Sequence, residues 1–199
     1  FINDEVGGYN GIYFRIYGGT GQDTEIVIDN NKFVKIGNKD AGLYSNAISS
    51  RNYQEHGAYF TITNNYFEGC LNYIRLRNNG TASNHATSTW RVEVEDNQFI
   101  GLPQSYYFAS RNGTTGDNDS TAPLGCVFGA NFYKDNSGNV ITDLTQYSSY
   151  FKDVLNMGSA LDKAPEDVDV EGLKFYSISY DLMGGSTYES FVYEYSSAI

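Results

Sequence analysis

Positive charge, cysteine, histidine and long apolar runs are all scarce in this chain. Thirteen Lys and Arg stand against 24 Asp and Glu, for a formal net charge of -11. That balance argues against nucleic acid and for a cationic or calcium-loaded surface as partner. The two histidines, His56 and His85, lie far apart in polar stretches, with no Cys or His at zinc-ligand spacing, so both read as solvated loop residues. Cys70 and Cys126 are the only cysteines. They fall at different phases of the repeat described below, which favours two buried thiols over a disulfide. No stretch is long and apolar enough to span a membrane, and no signal peptide is recognisable. A chain that begins with Phe rather than Met is expected to be processed or excised from something longer.

What is abundant is aromatic and small. Eighteen Tyr, 12 Phe and 21 Gly against 3 Pro are the balance of a β-rich secreted or virion surface rather than of a helical cytosolic enzyme. These residues are organised by one phrase said four times. Ile26-Val27-Ile28-Asp29-Asn30-Asn31-Lys32-Phe33 returns as Phe60-Thr61-Ile62-Thr63-Asn64-Asn65-Tyr66-Phe67, as Val92-Glu93-Val94-Glu95-Asp96-Asn97-Gln98-Phe99, and more loosely as Cys126-Val127-Phe128-Gly129-Ala130-Asn131-Phe132-Tyr133. From Asn31 to Asn65, Asn97 and Asn131 the spacing is nearly constant, the first and last steps being equal and the middle one only slightly shorter.

Superposed, the copies predict columns. Ile28, Ile62, Val94 and Phe128 form one apolar ladder, and Ile26, Phe60, Val92 and Cys126 form another two residues away on the same strand face. Asn31, Asn65, Asn97 and Asn131 form a ladder at a bend, where side-chain amides satisfy turn backbone that would otherwise be buried unpaired. Phe33, Phe67, Phe99 and Tyr133 form an aromatic stack. Two short strands per repeat and period-two alternation point to a parallel β-solenoid, in which no coil buries its own face alone. An antiparallel sandwich of similarly spaced strands is the alternative.

The repeated Ile-x-Ile-x-Asn-Asn-x-Phe phrase resembles that of the pectate lyase-like superfamily of right-handed parallel β-helices, over residues 11–145. The resemblance implies an all-β, right-handed parallel β-helix of about four to five coils over 1–145. Residues 146–199 would then form a C-terminal capping or oligomerisation segment. Within it, 147–161 has the spacing of a short helix. Stretches 173–182 and 187–195 alternate as a β-hairpin about Met183-Gly184-Gly185-Ser186.

In Tyr73-Ile74-Arg75-Leu76-Arg77, Ile74 and Leu76 are expected inward and Arg75 and Arg77 outward. Counting from the aromatics puts Tyr106 and Phe108 in register with Ile74 and Leu76, and Tyr107 beside Arg75. Polar loops at 37–56, 78–89 and 111–122 would wall a groove. The candidate carbohydrate-binding residues are therefore Arg75, Arg77, Tyr107, Arg111 and Arg51.

By resemblance, a lyase would neutralise a uronate carboxylate with calcium, Asn or Arg and abstract the neighbouring proton with Arg or Lys. Asp29 and Asp40 are the candidate calcium ligands. Val27-Ile28-Asp29 is similar to the family's Ile-Asp-His strand, but Asn30 stands where His is common. Neither the Arg-x-Pro-Arg-x-Arg stretch of pectate lyases nor the paired Asp of galacturonase hydrolases is present. The expected function is an extracellular β-helix that binds, and in the enzyme reading cleaves, a polysaccharide along its coils. The alternative is a structural or adhesive module of a tailspike or surface adhesin, trimeric if virion-derived. In both, the partner is a polysaccharide or surface glycan.

Overall fold

The computed structural model describes residues 10–16, 24–37, 45–52, 58–78, 91–112, 126–152, 158–165, 174–179 and 189–194. Three parallel sheets carry the first of two compact units, Phe1–Glu166. The first sheet is β1 (Asn10–Ile16), β4 (Asn46–Asn52), β7 (Ile74–Asn78), β10 (Phe108–Asn112) and β13 (Phe151–Lys152). The second is β2 (Thr24–Asp29), β5 (Ala58–Thr63), β8 (Arg91–Glu95) and β11 (Cys126–Phe128). The third is β3 (Lys32–Val34), β6 (Tyr66–Glu68), β9 (Gln98–Ile100) and β12 (Phe132–Lys134). Each sheet is ordered as its strands occur in the chain, so each repeat contributes one strand to each sheet.

The predicted ladders are the observed registers of the second and third sheets. Ile26, Phe60, Val92 and Cys126 pair in one column, and Ile28, Ile62, Val94 and Phe128 in the next. Ile28, Ile62, Val94 and Phe128 are buried, whereas Val27 on the opposite face is exposed. Phe33, Phe67, Phe99 and Tyr133 pair in the third sheet, and their rings stack at centroid distances of 4.9, 5.0 and 5.3 Å.

The two-residue bend between the second and third sheets divides its work between its residues. Asn30, Asn64 and Asp96 take positive φ angles of 56°, 53° and 54°, a left-handed conformation that Asn and Asp tolerate better than most side chains. The next residue then cross-links rungs. Oδ1 of Asn65 accepts the Asn31 N–H at 2.9 Å, while its Nδ2 donates to the carbonyls of Ile28 and Thr63, each at 2.8 Å. Asn97 and Asn131 repeat the pattern, and all three amides are fully buried.

The segment expected as a short helix at 147–161 is different. A six-residue 3-10 helix, Thr145–Tyr150, leads directly into β13. Pairing of Phe151 with Phe108 draws the chain back into the first sheet, and that tertiary contact overrides the helical spacing. Beyond it, Ala160 bridges to Asn131 in parallel and the Leu161 N–H donates to the Asn131 carbonyl at 2.9 Å. Gly158, at φ +66°, passes so close that a Cβ there would overlap the Phe128 carbonyl oxygen. In the second unit, Asp167–Ile199, β14 (Lys174–Ser179) and β15 (Glu189–Glu194) pair antiparallel, Lys174 with Glu194 through Ser179 with Glu189.

Removing the Asn65 amide strands the Asn31 N–H and takes a donor from the Ile28 and Thr63 carbonyls, so Asn65→Ala should cost about 1 to 3 kcal/mol in urea unfolding. Asn31→Ala, at the partly exposed end of the ladder, should cost less than half as much; equal losses would refute the ladder. Gly158→Ala should lower stability by about 2 kcal/mol or more, because strain and overlap act together.

Candidate functional site

The first sheet holds the predicted site, with a register the Asn phrase did not predict. Ile12 pairs with Ile48, Ile48 with Ile74, and Ile74 with Phe108. Those steps along the chain are unequal, the middle one much the shortest, because the connections around this sheet vary in length. Aligned so, the strands read Ile12-Tyr13-Phe14-Arg15, Ile48-Ser49-Ser50-Arg51, Ile74-Arg75-Leu76-Arg77 and Phe108-Ala109-Ser110-Arg111. The fourth position is Arg every time. Arg15 pairs with Arg51 and Arg77 with Arg111, while pairing of Asn52 with Asn78 brings Arg51 level with Arg77.

Sequence reasoning had gathered Arg51, Arg77 and Arg111 but missed Arg15. The apolar-x-x-Arg phrase would have found it. Neighbouring strands lie about 4.8 Å apart, and like charges at that spacing repel by about 1 kcal/mol in water and about 3 at an effective dielectric near 20. Such a column calls for counter-charge, from within the chain or from an anion. Arg15 is exposed. Arg77 is buried, and Arg75, paired with Ser49 and Ala109, is fully buried. All three are engaged within the chain. Arg51 and Arg111 are placed by their backbone pairing.

Tyr107 requires a correction. The expected register put Tyr106 level with Ile74 and Tyr107 beside Arg75; the pairing puts Phe108 level with Ile74 and Ala109 beside Arg75. Two extra residues separate Phe99 from the strand, in a stretch that turns at Gly101, with φ +100°, and Pro103. Tyr107 thus falls one residue ahead of β10, as Tyr73 stands one ahead of β7, and lies in the core with no exposed surface, stacked on Tyr73 at 5.3 Å and on Phe151 at 5.4 Å. These three rings form a second aromatic column, meeting the Phe33–Tyr133 stack edge to face, as between Tyr73 and Phe99 at 5.2 Å. No sugar can reach the Tyr107 ring there.

Asp29, a candidate calcium ligand, has Oδ1 occupied by the Thr63 hydroxyl at 2.8 Å and the Asn64 amide at 2.9 Å, and so ties one rung to the next. Among the described residues no three Asp, Glu, His or Cys side chains gather as a metal site. Asp40, His56, His85 and the loop residues 79–90 and 113–125 lie outside the described residues. No helix among the described residues is long and apolar enough to cross a membrane.

Several acidic groups are held neutral inside. Burial pushes the Cys70 thiol up to about 12, and also raises the Tyr73, Tyr107 and Tyr133 phenols, with Tyr147 and Tyr150 adding to the effect at Tyr107. Cys70 is a free thiol; the side chain of Cys126 lies outside the description. Comparison with family models, curated proteins and solved structures found no match.

Groups whose pKa values are raised by folding lend stability that is complete below their unfolded values and is lost as pH climbs toward the folded ones. With unfolded values of about 8.5 for Cys and about 10 for Tyr, the urea midpoint should be flat around neutrality and fall steeply between about pH 9 and 12. Tyr107→Phe should make that fall shallower, and an identical profile for the variant would remove Tyr107 from the cause.

Proposed function

We propose that the three parallel sheets are the faces of a right-handed parallel β-helix of the pectate lyase-like kind, and that its arginine-bearing face binds an anionic polysaccharide running along the stack. The observation that carries this reading is the Arg15, Arg51, Arg77, Arg111 column. A linear polymer laid across the rungs would meet the exposed Arg15 and pass the same strand position at Arg51 and Arg111, Arg77 being buried, and a polymer of acidic sugars offers the matching charge. Guanidinium suits that task because its planar fork donates two parallel hydrogen bonds to a carboxylate. The column also explains how a chain of net charge -11 recruits an acidic partner. The setting that fits is extracellular, on a cell or virion surface.

Burial of Arg75, Arg77 and Tyr107 favours a second reading, a non-enzymatic structural or adhesive module that works as a homo-oligomer. There the arginines brace the fold and the outer loops carry recognition. Neither reading assigns a catalytic residue.

Incubation with uronate-containing polysaccharides, with and without calcium, followed by ultraviolet absorbance of unsaturated product, separates cleavage from binding. On immobilised polyuronate the protein should be retained and released by salt, since exposed ionic contacts are screened. Arg15→Ala should weaken retention at an unchanged melting temperature. Arg75→Ala should instead lower the melting temperature, because it removes a fully buried, engaged charge. No retention on any acidic polysaccharide, together with a trimer by light scattering, would establish the second reading.

A further inference from the structure

The outer face of the second sheet differs in chemistry from the arginine column. Its strands alternate, so Glu25, Val27 and Asp29 of β2, Tyr59, Thr61 and Thr63 of β5, and Arg91, Glu93 and Glu95 of β8 share the side opposite the core. A cleft of about 430 Å³ opens on this face, lined by Glu25, Tyr59, Phe60, Thr61, Arg91 and Glu93. Tyr59 is its centre. It pairs with Glu25 on one side and Arg91 on the other, and Thr61 and Glu93 pair in the next column. Arg91 and Glu93 are joined by an ion pair.

We propose that this cleft is a binding subsite for one uncharged pyranose unit, distinct from the anionic-glycan face and independent of it. Three features lead there. The first is shape: Tyr59 is the one aromatic among the described outward positions of these strands, and its neighbours Val27 and Thr61 are small. A half-buried ring so flanked is a platform for the apolar C–H face of a sugar. The second is hydrogen bonding. Carboxylates at Glu25 and Glu93, the Arg91 guanidinium and the Thr61 hydroxyl surround the platform and supply both acceptors and donors for ring hydroxyls. The volume lies within the roughly 300 to 1,000 Å³ of small-ligand sites.

The third feature is charge. The described ionisable groups on this face are Glu25, Asp29, Glu93 and Glu95 against Arg91, so the face is net negative and repels a uronate. An uncharged sugar escapes that repulsion. The site is also set in advance, because β5 is hydrogen-bonded on both edges and the inward neighbours Phe60 and Val92 are buried in the core.

The test titrates the full chain with cellotetraose, mannotetraose and galactotetraose as neutral probes and tetragalacturonate as the acidic one, read by calorimetry and by saturation transfer to sugar protons. At least one neutral probe should bind, with transfer to ring C–H protons. Tyr59→Ala should weaken it by at least about tenfold, Tyr59→Phe should keep it, and Glu93→Gln should weaken it severalfold. Retention on polyuronate, which reads the arginine column, should be the same in all three variants. Should Tyr59→Ala melt early, Glu93→Gln decides alone. Failure of every neutral probe to bind, equal binding by wild type and Glu93→Gln, or tetragalacturonate binding lost in Tyr59→Ala would each overturn the proposal, whatever the arginine face does.

Discussion

The structure depends on how one rung is bonded to the next at the bend between the second and third sheets. Strands there have partners above and below, and the bends share some backbone bonds from rung to rung, but the N–H of each of Asn31, Asn65 and Asn97 is met by a side-chain amide of the next rung. The buried amides of Asn65, Asn97 and Asn131 meet them, each accepting from the preceding rung's backbone and returning two donors to carbonyls. An uncompensated N–H or carbonyl at each bend would cost about as much as a hydrogen bond contributes, repeated at every rung. With the bends closed, the strands on either side are held in the register that stacks Ile28 on Ile62 on Val94, and Phe33 on Phe67 on Phe99. The left-handed residue before each ladder Asn sets the angle of entry.

The interior is built from two parallel ring columns. Phe33, Phe67, Phe99 and Tyr133 occupy one, and Tyr73, Tyr107 and Phe151 the other, in edge-to-face contact. The phenol oxygens need partners inside, and Tyr73 donates to the Gly101 carbonyl at 2.8 Å. A chain rich in tyrosine thus keeps Tyr73, Tyr106, Tyr107 and Tyr133 away from solvent. Rings committed to the core are removed from the surface.

The two sheets differ in charge. The first repeats arginine at one strand position, exposed at Arg15 and buried at Arg77, and the outer face of the second carries Glu25, Asp29, Glu93 and Glu95 around a single Tyr and a single Arg. The variable connections around the first sheet shift its phase without breaking the column, because strand pairing selects the apolar-x-x-Arg phrase whatever the loop length. A repeating scaffold thus carries sheet faces of different charge.

The columns of the second and third sheets were legible because their bend is short and of constant length, so a fixed spacing in the chain is a fixed spacing in space. Ile26 through Phe33 therefore predicts its own stacking. The first sheet was not legible from that phrase, since the unequal steps from Ile12 to Ile48, Ile74 and Phe108 break the count and leave Tyr107 ahead of its strand, in the core beside Tyr73. Burial of Arg75 and Arg77 was hidden for a related reason: alternation says which face a side chain takes, but not whether that face is covered. The 3-10 turn and return of Phe151 likewise depend on Phe108, a full repeat earlier in the chain. Local turn chemistry and period are properties of the sequence by itself; register across unequal loops, and the cover over a sheet face, arise only when distant segments meet.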